Sequence, residues 1–260
     1  MCKGTFSYSN RNRMKKKSNM SDGEIVSKLS ENLPFKIDTD FGVSSVLNKK
    51  KLLSDFSNYI IKVQKSIEDY DLIVNEDFPV IQMSIKNYVK DYLDEEQDSY
   101  YFKSEDDYDF LLEIGLKRDI LDKYNFGKNG RLSFWWGNKN TITSFHYDSY
   151  GYKPDRAIKK IHGEDFYKKA YGHSILTVLE GKKKVYIIHP KYSEYLKYSD
   201  SLQNGAAWCL EQTEDILNNK NIEYETIILN AGESLNIPMF WWHKIENLDQ
   251  GMAITYGFSL

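Results

Sequence analysis

From Asp98 to the end of the chain, short runs of aromatic and β-branched residues recur between Gly, Asn and Pro turns. They are Tyr100-Tyr101-Phe102, Leu132 to Trp136, Ile175 to Leu179, Val185 to Ile188, Thr226 to Leu229, Ser234 to Ile237 and Met252 to Phe258. Runs this short are not stable as isolated hairpins, so they must pair into sheets whose apolar faces close on one another. The pattern predicts a mainly β fold, a barrel or sandwich, over residues 97–260. Two long interruptions, 149–173 and 190–224, are rich in Tyr and Lys, and segments of that length inside a compact domain are usually functional or disordered.

The residues before Asp98 have helical spacing instead. Ile25, Val26 and Leu29 form one stripe; Val46, Leu47, Leu52, Leu53, Phe56, Ile60 and Val63 a longer one; Ile85, Tyr88, Val89 and Tyr92 a third. With Asp22 and Ser44 as caps, residues 21–96 read as a helical cover over the β region. Residues 1–20, centred on Arg11-Asn12-Arg13-Met14-Lys15-Lys16-Lys17, offer nothing to nucleate a core and read as a flexible basic tail. Such a run is either simply solvated or a nuclear-import or nucleic-acid patch.

Composition narrows the class. Hydrophobic residues at 41% and aromatics at 15% supply a sizeable core and exclude general disorder. A formal charge of -3 gives no molecule-wide attraction for nucleic acid, which leaves only local patches. Two cysteines, Cys2 in the tail and Cys209, do not make a disulfide framework. No apolar run approaches the roughly 20 residues that span a bilayer, and no signal-peptide core precedes the tail. The expectation is a protein without membrane segments in a reducing intracellular compartment, cytoplasmic or nuclear.

Two separated motifs carry the chemistry. In Thr143-Ser144-Phe145-His146-Tyr147-Asp148, strand alternation projects His146 and Asp148 from one face. By itself His-x-Asp is a common accident. About a hundred residues later, the turn Asn230-Ala231-Gly232-Glu233 and the run Ser234 to Ile237 lead through Pro238 to His243, beyond Trp241 and Trp242. No cysteine pair or His-Glu-x-x-His competes for zinc, and two imidazoles with one carboxylate favour non-haem Fe(II) with positions open to O2. Between the motifs, Leu179, Gly181, Lys183, Val185 and Ile187 share a parity, so Lys183 sits on the apolar side. A lysine facing a core needs an anion; the other reading is an edge strand with Lys183 in solvent.

These segments, and above all Gly232-Glu233-Ser234-Leu235-Asn236-Ile237-Pro238-Met239-Phe240-Trp241-Trp242-His243, resemble the JmjC-type, cupin-like oxygenases that depend on 2-oxoglutarate and Fe(II). The likeness runs from about Ser84 to Leu260. It is nearest the subgroup that includes the asparaginyl hydroxylase regulating the hypoxia-inducible factor. It implies a double-stranded β-helix (jelly-roll) barrel, with His146, Asp148 and His243 as iron ligands and catalytic centre. Lys183 would pair with the distal carboxylate of 2-oxoglutarate, and Thr143 and Tyr101 would hydrogen-bond it. Thr143 and His146 differ in parity, so both face the pocket only if a bulge intervenes. Lys103, Tyr147 and Trp241 are candidate substrate contacts.

Three departures stand out. Ser174 replaces an Asn common in the family seven residues before Gly181. The last strand reads Tyr256-Gly257-Phe258 where a polar co-substrate contact is expected. The chain ends at Leu260, without the helices through which the relative dimerises, so dimerisation by that route is not expected. The resemblance implies oxidative decarboxylation of 2-oxoglutarate coupled to hydroxylation of a protein or peptide side chain. A lysyl demethylase and a tRNA-base hydroxylase are the alternatives within the family, and a non-catalytic cupin-fold binding protein the alternative outside it. The insertion 149–173, with Tyr150, Tyr152, Arg156, Lys159, Lys160, Tyr167, Lys168 and Lys169, reads equally as a substrate-binding surface and as a solvated lid. His162 and His173 within it read as residues other than ligands.

Overall fold

In the computed structural model, residues 20–45, 47–66, 80–93, 100–104, 131–149, 172–199 and 206–259 are described. The basic tail apart from Met20, and residues 150–171 of the first insertion with His162, lie outside them. Strands come in the order β1 (Phe35–Ile37), β2 (Ile60–Lys65), β3 (Val80–Ser84), β4 (Tyr100–Ser104), β5 (Arg131–Gly137), β6 (Ile142–Asp148), β7 (Gly172–Glu180), β8 (Lys182–Ile188), β9 (Ala206–Trp208), β10 (Tyr224–Asn230), β11 (Ser234–Pro238), β12 (Trp242–Asn247) and β13 (Gly251–Ser259). They form two antiparallel sheets, an eight-stranded one in the order β1-β11-β7-β13-β5-β4-β2-β3 and a five-stranded one in the order β10-β8-β12-β6-β9. This is the jelly-roll expected of the β-rich half, and each apolar run named from sequence falls in a strand.

The two faces of the large sheet bury different things. Its inner face contributes Leu176, Val178, Leu235, Ile237 and Ala253 to a core shared with Val185, Ile187 and Leu229 of the small sheet. Its outer face carries Phe134, Trp136, Ile175, Leu179, Met252, Ile254, Tyr256 and Phe258 against the N-terminal segment. Because β7 is covered on both sides, eight of its nine residues are buried, His173, Ser174 and Thr177 among them, and burial runs along it without alternating. Each large side chain buried in this way contributes roughly 1.5–3 kcal/mol.

The covering segment mixes helix with strand. Helix α1 (Asp22–Leu29) is closed by a capping box between Ser21 and Glu24, one residue before the predicted cap, and buries Ile25 and Leu29. Helix α2 (Lys49–Asp55) is capped by Asn48 rather than Ser44 and buries Leu52. The stripe predicted to run on through Ile60 and Val63 stops there: the chain turns at Phe56 and re-enters as β2, where Ile61 and Val63 are buried and alternate with exposed Ile60 and Lys62. Pairing with β3 and β4 has overridden a spacing that also fits a helix. Strands β1, β2 and β3 thus extend the large sheet at both ends.

Helix α3 (Ile85–Tyr88) continues into a π turn, Val89–Leu93, within the predicted third helical stretch. The buried Tyr88 hydroxyl donates to the Trp136 carbonyl at 2.5 Å and accepts from the Phe102 N–H at 3.3 Å, fixing α3 to β4 and β5. No helix among the described residues is long and apolar enough to cross a membrane.

Two connections set the position of the site. Gly181 joins β7 to β8 at φ +74, and a Cβ there would lie 2.3 Å from the Gln250 carbonyl oxygen, so only glycine fits. The second interruption, 190–224, is not a bare loop. It holds a 3-10 turn, Pro190–Tyr195, then β9, and then α4 (Thr213–Asn218), which contributes Ile216 to the outer core of the small sheet. The run Ala206-Ala207-Trp208-Cys209-Leu210 was the sequence signal for that strand.

Candidate metal centre

Three successive rungs on the inner face of the small sheet build the site. The first pairs Lys183 with Asn247 across β8 and β12. The second runs Val185, Ile245, Thr143, and the third Ile187, His243, His146, Trp208. A register shift between His243 and Ile245 takes up the odd spacing of Thr143 and His146. That is the bulge the parity argument required, and it puts Thr143 opposite Ile245 on the inner face.

Each histidine is held in one tautomer. Nδ1 of His146 lies 2.8 Å from the Ser144 carbonyl, and Nδ1 of His243 lies 2.9 Å from the Trp241 carbonyl. A carbonyl only accepts, so each Nδ1 carries a proton and each Nε2 is the ring atom left for a metal. The two rings lie 4.1 Å apart between centroids. Asp148 Oδ1 is 4.0 Å from His146 Nε2, and ligand atoms of His146, Asp148 and His243 all fall within 4.8 Å of one another. Burial holds the His146 pKa well below its ordinary value, His243 and Lys103 add repulsion, and the bond to Ser144 opposes them. His146 is therefore a neutral imidazole, the form that binds metal.

The turn before His243 is tied to the other motif. Phe240 takes φ 68, a left-handed conformation unusual for an aromatic residue. Its N–H donates to the Asp148 carbonyl at 3.1 Å, while the Met239 N–H donates to the Gly172 carbonyl at 2.8 Å. The strained turn is thus pinned to the end of β6, which fixes His243 relative to Asp148.

Lys183 lies where the parity argument put it, buried on the inner face, and it donates to the Asn247 side-chain oxygen. Burial pushes its pKa down to about 8. The edge-strand reading fails, because β8 lies between β10 and β12. Across the barrel, Tyr101 is buried with its ring stacked on Trp135 at 5.9 Å, and the Lys103 ammonium lies 4.9 Å from the Trp135 ring centre. Ser174 pairs directly with Gly257, so the two departures from the family pattern are neighbours across β7 and β13.

Two candidate substrate contacts are placed otherwise. Tyr147, one residue from His146, points to the opposite face, as strand alternation demands, and packs against Phe240, Trp242 and Tyr198 in the outer core. Trp241 is buried in the inner core and serves His243 through its backbone carbonyl. His173 is buried, bonded through Nδ1 to Asn236 and stacked on Phe258, outside the metal cluster. Sequence reasoning missed Asn247, whose only signal was its place opposite Lys183, and Trp208, hidden in an interruption.

An inner face with two imidazoles, one carboxylate and a buried lysine suits a ferrous ion with an anionic ligand. The chain matches the cupin-like domain family over residues 35–259. It is 28% identical over 151 residues to JmjC domain-containing protein D of Dictyostelium discoideum, covering 55% of this chain and 28% of that protein. It is 27% identical over 153 residues to lysine-specific demethylase JMJ30 of Arabidopsis thaliana, covering 55% and 30%. With the 2-oxoglutarate and iron-dependent oxygenase JMJD4 homolog of Drosophila melanogaster it shares 27% identity over 132 residues, 51% and 25% of the two chains. The chain spans less than a third of the length of these relatives. Matched along almost its whole β region, the chain belongs to the cupin-like domain family.

Proposed function

We propose that this protein is a 2-oxoglutarate- and Fe(II)-dependent oxygenase that hydroxylates a side chain of a protein substrate. The observation that carries the reading is the inner-face ladder, with two imidazoles and a carboxylate at one end and a buried lysine at the other. Four residues separate the Lys183 and Ile187 rungs, roughly 13 Å along the strand, a span that a lysine side chain and an elongated dicarboxylate bridge together.

In this reading His146, Asp148 and His243 hold the iron, which when bound supplies the oxidative chemistry that the side chains cannot. Lys183 neutralises the distal carboxylate of the co-substrate, Thr143 and Tyr101 offer it hydroxyls, and Asn247 orients the ammonium. The apolar walls, Val185, Ile187 and Leu176 among them, exclude water, and Lys103, its ammonium over the Trp135 ring, is a candidate substrate contact. A reducing setting, cytoplasmic or nuclear, belongs to the same proposal because it keeps iron ferrous.

The block Ile237 to His243 supports the hydroxylase branch, the one that includes the asparaginyl hydroxylase named above. A demethylase reading draws support from the name of the Arabidopsis relative; nothing in the comparisons supports a tRNA substrate. The test is succinate formation from 2-oxoglutarate with Fe(II), expected for the wild type and abolished in His146→Ala. Mass spectrometry of a peptide library then separates the branches, by one oxygen gained or one methylene lost. Fe(II) binding without turnover on any peptide would favour the non-catalytic cupin reading.

A further inference from the structure

Trp208 stands at the end of the metal rung and has no part in the readings above. It faces His146 across β9 and β6, with ring centroids 4.6 Å apart and planes 22° from parallel. His243 faces the same imidazole from β12, on the other side of β6. The His146 ring therefore has an indole along one flank and its partner ligand along the other.

Packing alone does not account for this placement. Trp208 belongs to neither sheet core: it forms a small cluster with Ala206 and the half-buried Leu210. At 7% exposure its indole N–H is buried with no hydrogen-bond partner among the described residues, at a desolvation cost. The residues on either side of it behave differently, since Ala207 and, just past β9, Cys209 fill the outer core behind Phe145 and Tyr147. The Cys209 N–H donates to the Phe145 carbonyl at 2.8 Å, locking the register that puts Trp208 on His146.

We infer that Trp208 is a positioning residue of the metal centre, its indole holding the His146 imidazole so that Nε2 stays aimed at the ion. The hydrogen bond to Ser144 fixes the tautomer and one point of the ring; rotation about that point is what a stacked face restricts. It follows that the segment 190–224 supplies one wall of the centre through β9. The inference rests on the metal reading above and adds to it a residue outside the ligand set.

The test uses Co(II) alone with the full chain, without co-substrate or turnover, followed by the visible absorption of the bound ion. Trp208→Leu and Trp208→Met keep apolar bulk without a π face, and Trp208→Phe restores a face without the N–H. Leu210→Ala loosens the same cluster without touching His146. For Leu and Met, Co(II) affinity is expected to fall about tenfold, the lower end for residues that orient metal ligands, with an altered absorption band. Phe is expected to restore both, and Leu210→Ala to change neither.

Either non-aromatic variant suffices, provided its circular dichroism matches the wild type. Wild-type affinity and band in a folded Leu or Met variant would overturn the inference and leave the metal reading intact, as would an equal loss in Leu210→Ala. A wild-type protein that binds no Co(II) would overturn the metal reading and the inference with it.

Discussion

Two lysines on neighbouring strands are buried to similar depth and have opposite surroundings. Lys244 of β12 is 1% exposed on the outer face of the small sheet, and Lys183 of β8 is 6% exposed on the inner face. The Lys244 ammonium meets the Glu246 carboxylate at 3.1 Å and donates to the Thr213 hydroxyl at 2.9 Å, with the Tyr186 ring centre 6.0 Å away. For Lys183, the hydrogen-bond partner among the described residues is the neutral amide of Asn247. A buried cation without a counter-charge is costly, so a fold keeps one only where something compensates. The outer lysine is satisfied within the fold, whereas in the proposed function the inner one meets the carboxylate of the co-substrate.

The sharpest way to break this comparison is to remove each ammonium in turn. Lys183→Met should weaken 2-oxoglutarate binding to the Mn(II)-loaded protein by about 30-fold or more, in line with losing a buried charge-paired hydrogen bond. Its thermal stability should hold or rise, because an uncompensated buried charge is gone. Calorimetric titration and a melting curve read the two effects; undiminished affinity would remove Lys183 from the co-substrate site.

Lys244→Met should do the reverse. It removes one of the two cations beside Glu246, leaving Lys184 at 3.7 Å, and cuts the bond that ties α4 to β12, so a loss of about 1 kcal/mol is expected. Co-substrate affinity should stay unchanged. Denaturant unfolding checks the first expectation and the same calorimetry the second. If both variants lose binding and stability alike, the two faces are not separate in function.

The contrast also marks what sequence could reveal. Lys183 was legible because parity in a strand is strict, and its odd position among Leu179, Val185 and Ile187 survives any error in strand ends. His146, Asp148 and His243 were legible for the same reason, joined by a turn whose Gly and Pro are unambiguous. Lys244 carried no signal of its own, since its burial is tied to α4, a helix within the second interruption. Trp208 and Asn247 were illegible because their roles lie in cross-strand register, which one sequence does not encode locally. Ile60 and Val63 misled because a spacing of three suits a helical stripe, whereas pairing with distant strands buries Ile61 and Val63 and leaves Ile60 exposed.

A pH series sharpens the comparison further, with two trends of opposite sign in one window. Burial lowers the Lys183 pKa from its ordinary 10.5 to about 8. Between those values the unfolded chain still binds the proton that the folded chain has released, so stability without ligand should rise with pH, by no more than roughly 3 kcal/mol. The co-substrate needs the ammonium, so above about pH 8 its binding takes up a proton. Its affinity should then fall by up to tenfold per pH unit, about 1.4 kcal/mol. Calorimetry in buffers of different ionisation enthalpy counts that proton directly, and Lys183→Met should flatten both trends. Because Lys244 already holds its counter-charge in Glu246, Lys244→Met should leave both slopes in place, so a slope that vanished there would assign the titration to the wrong lysine.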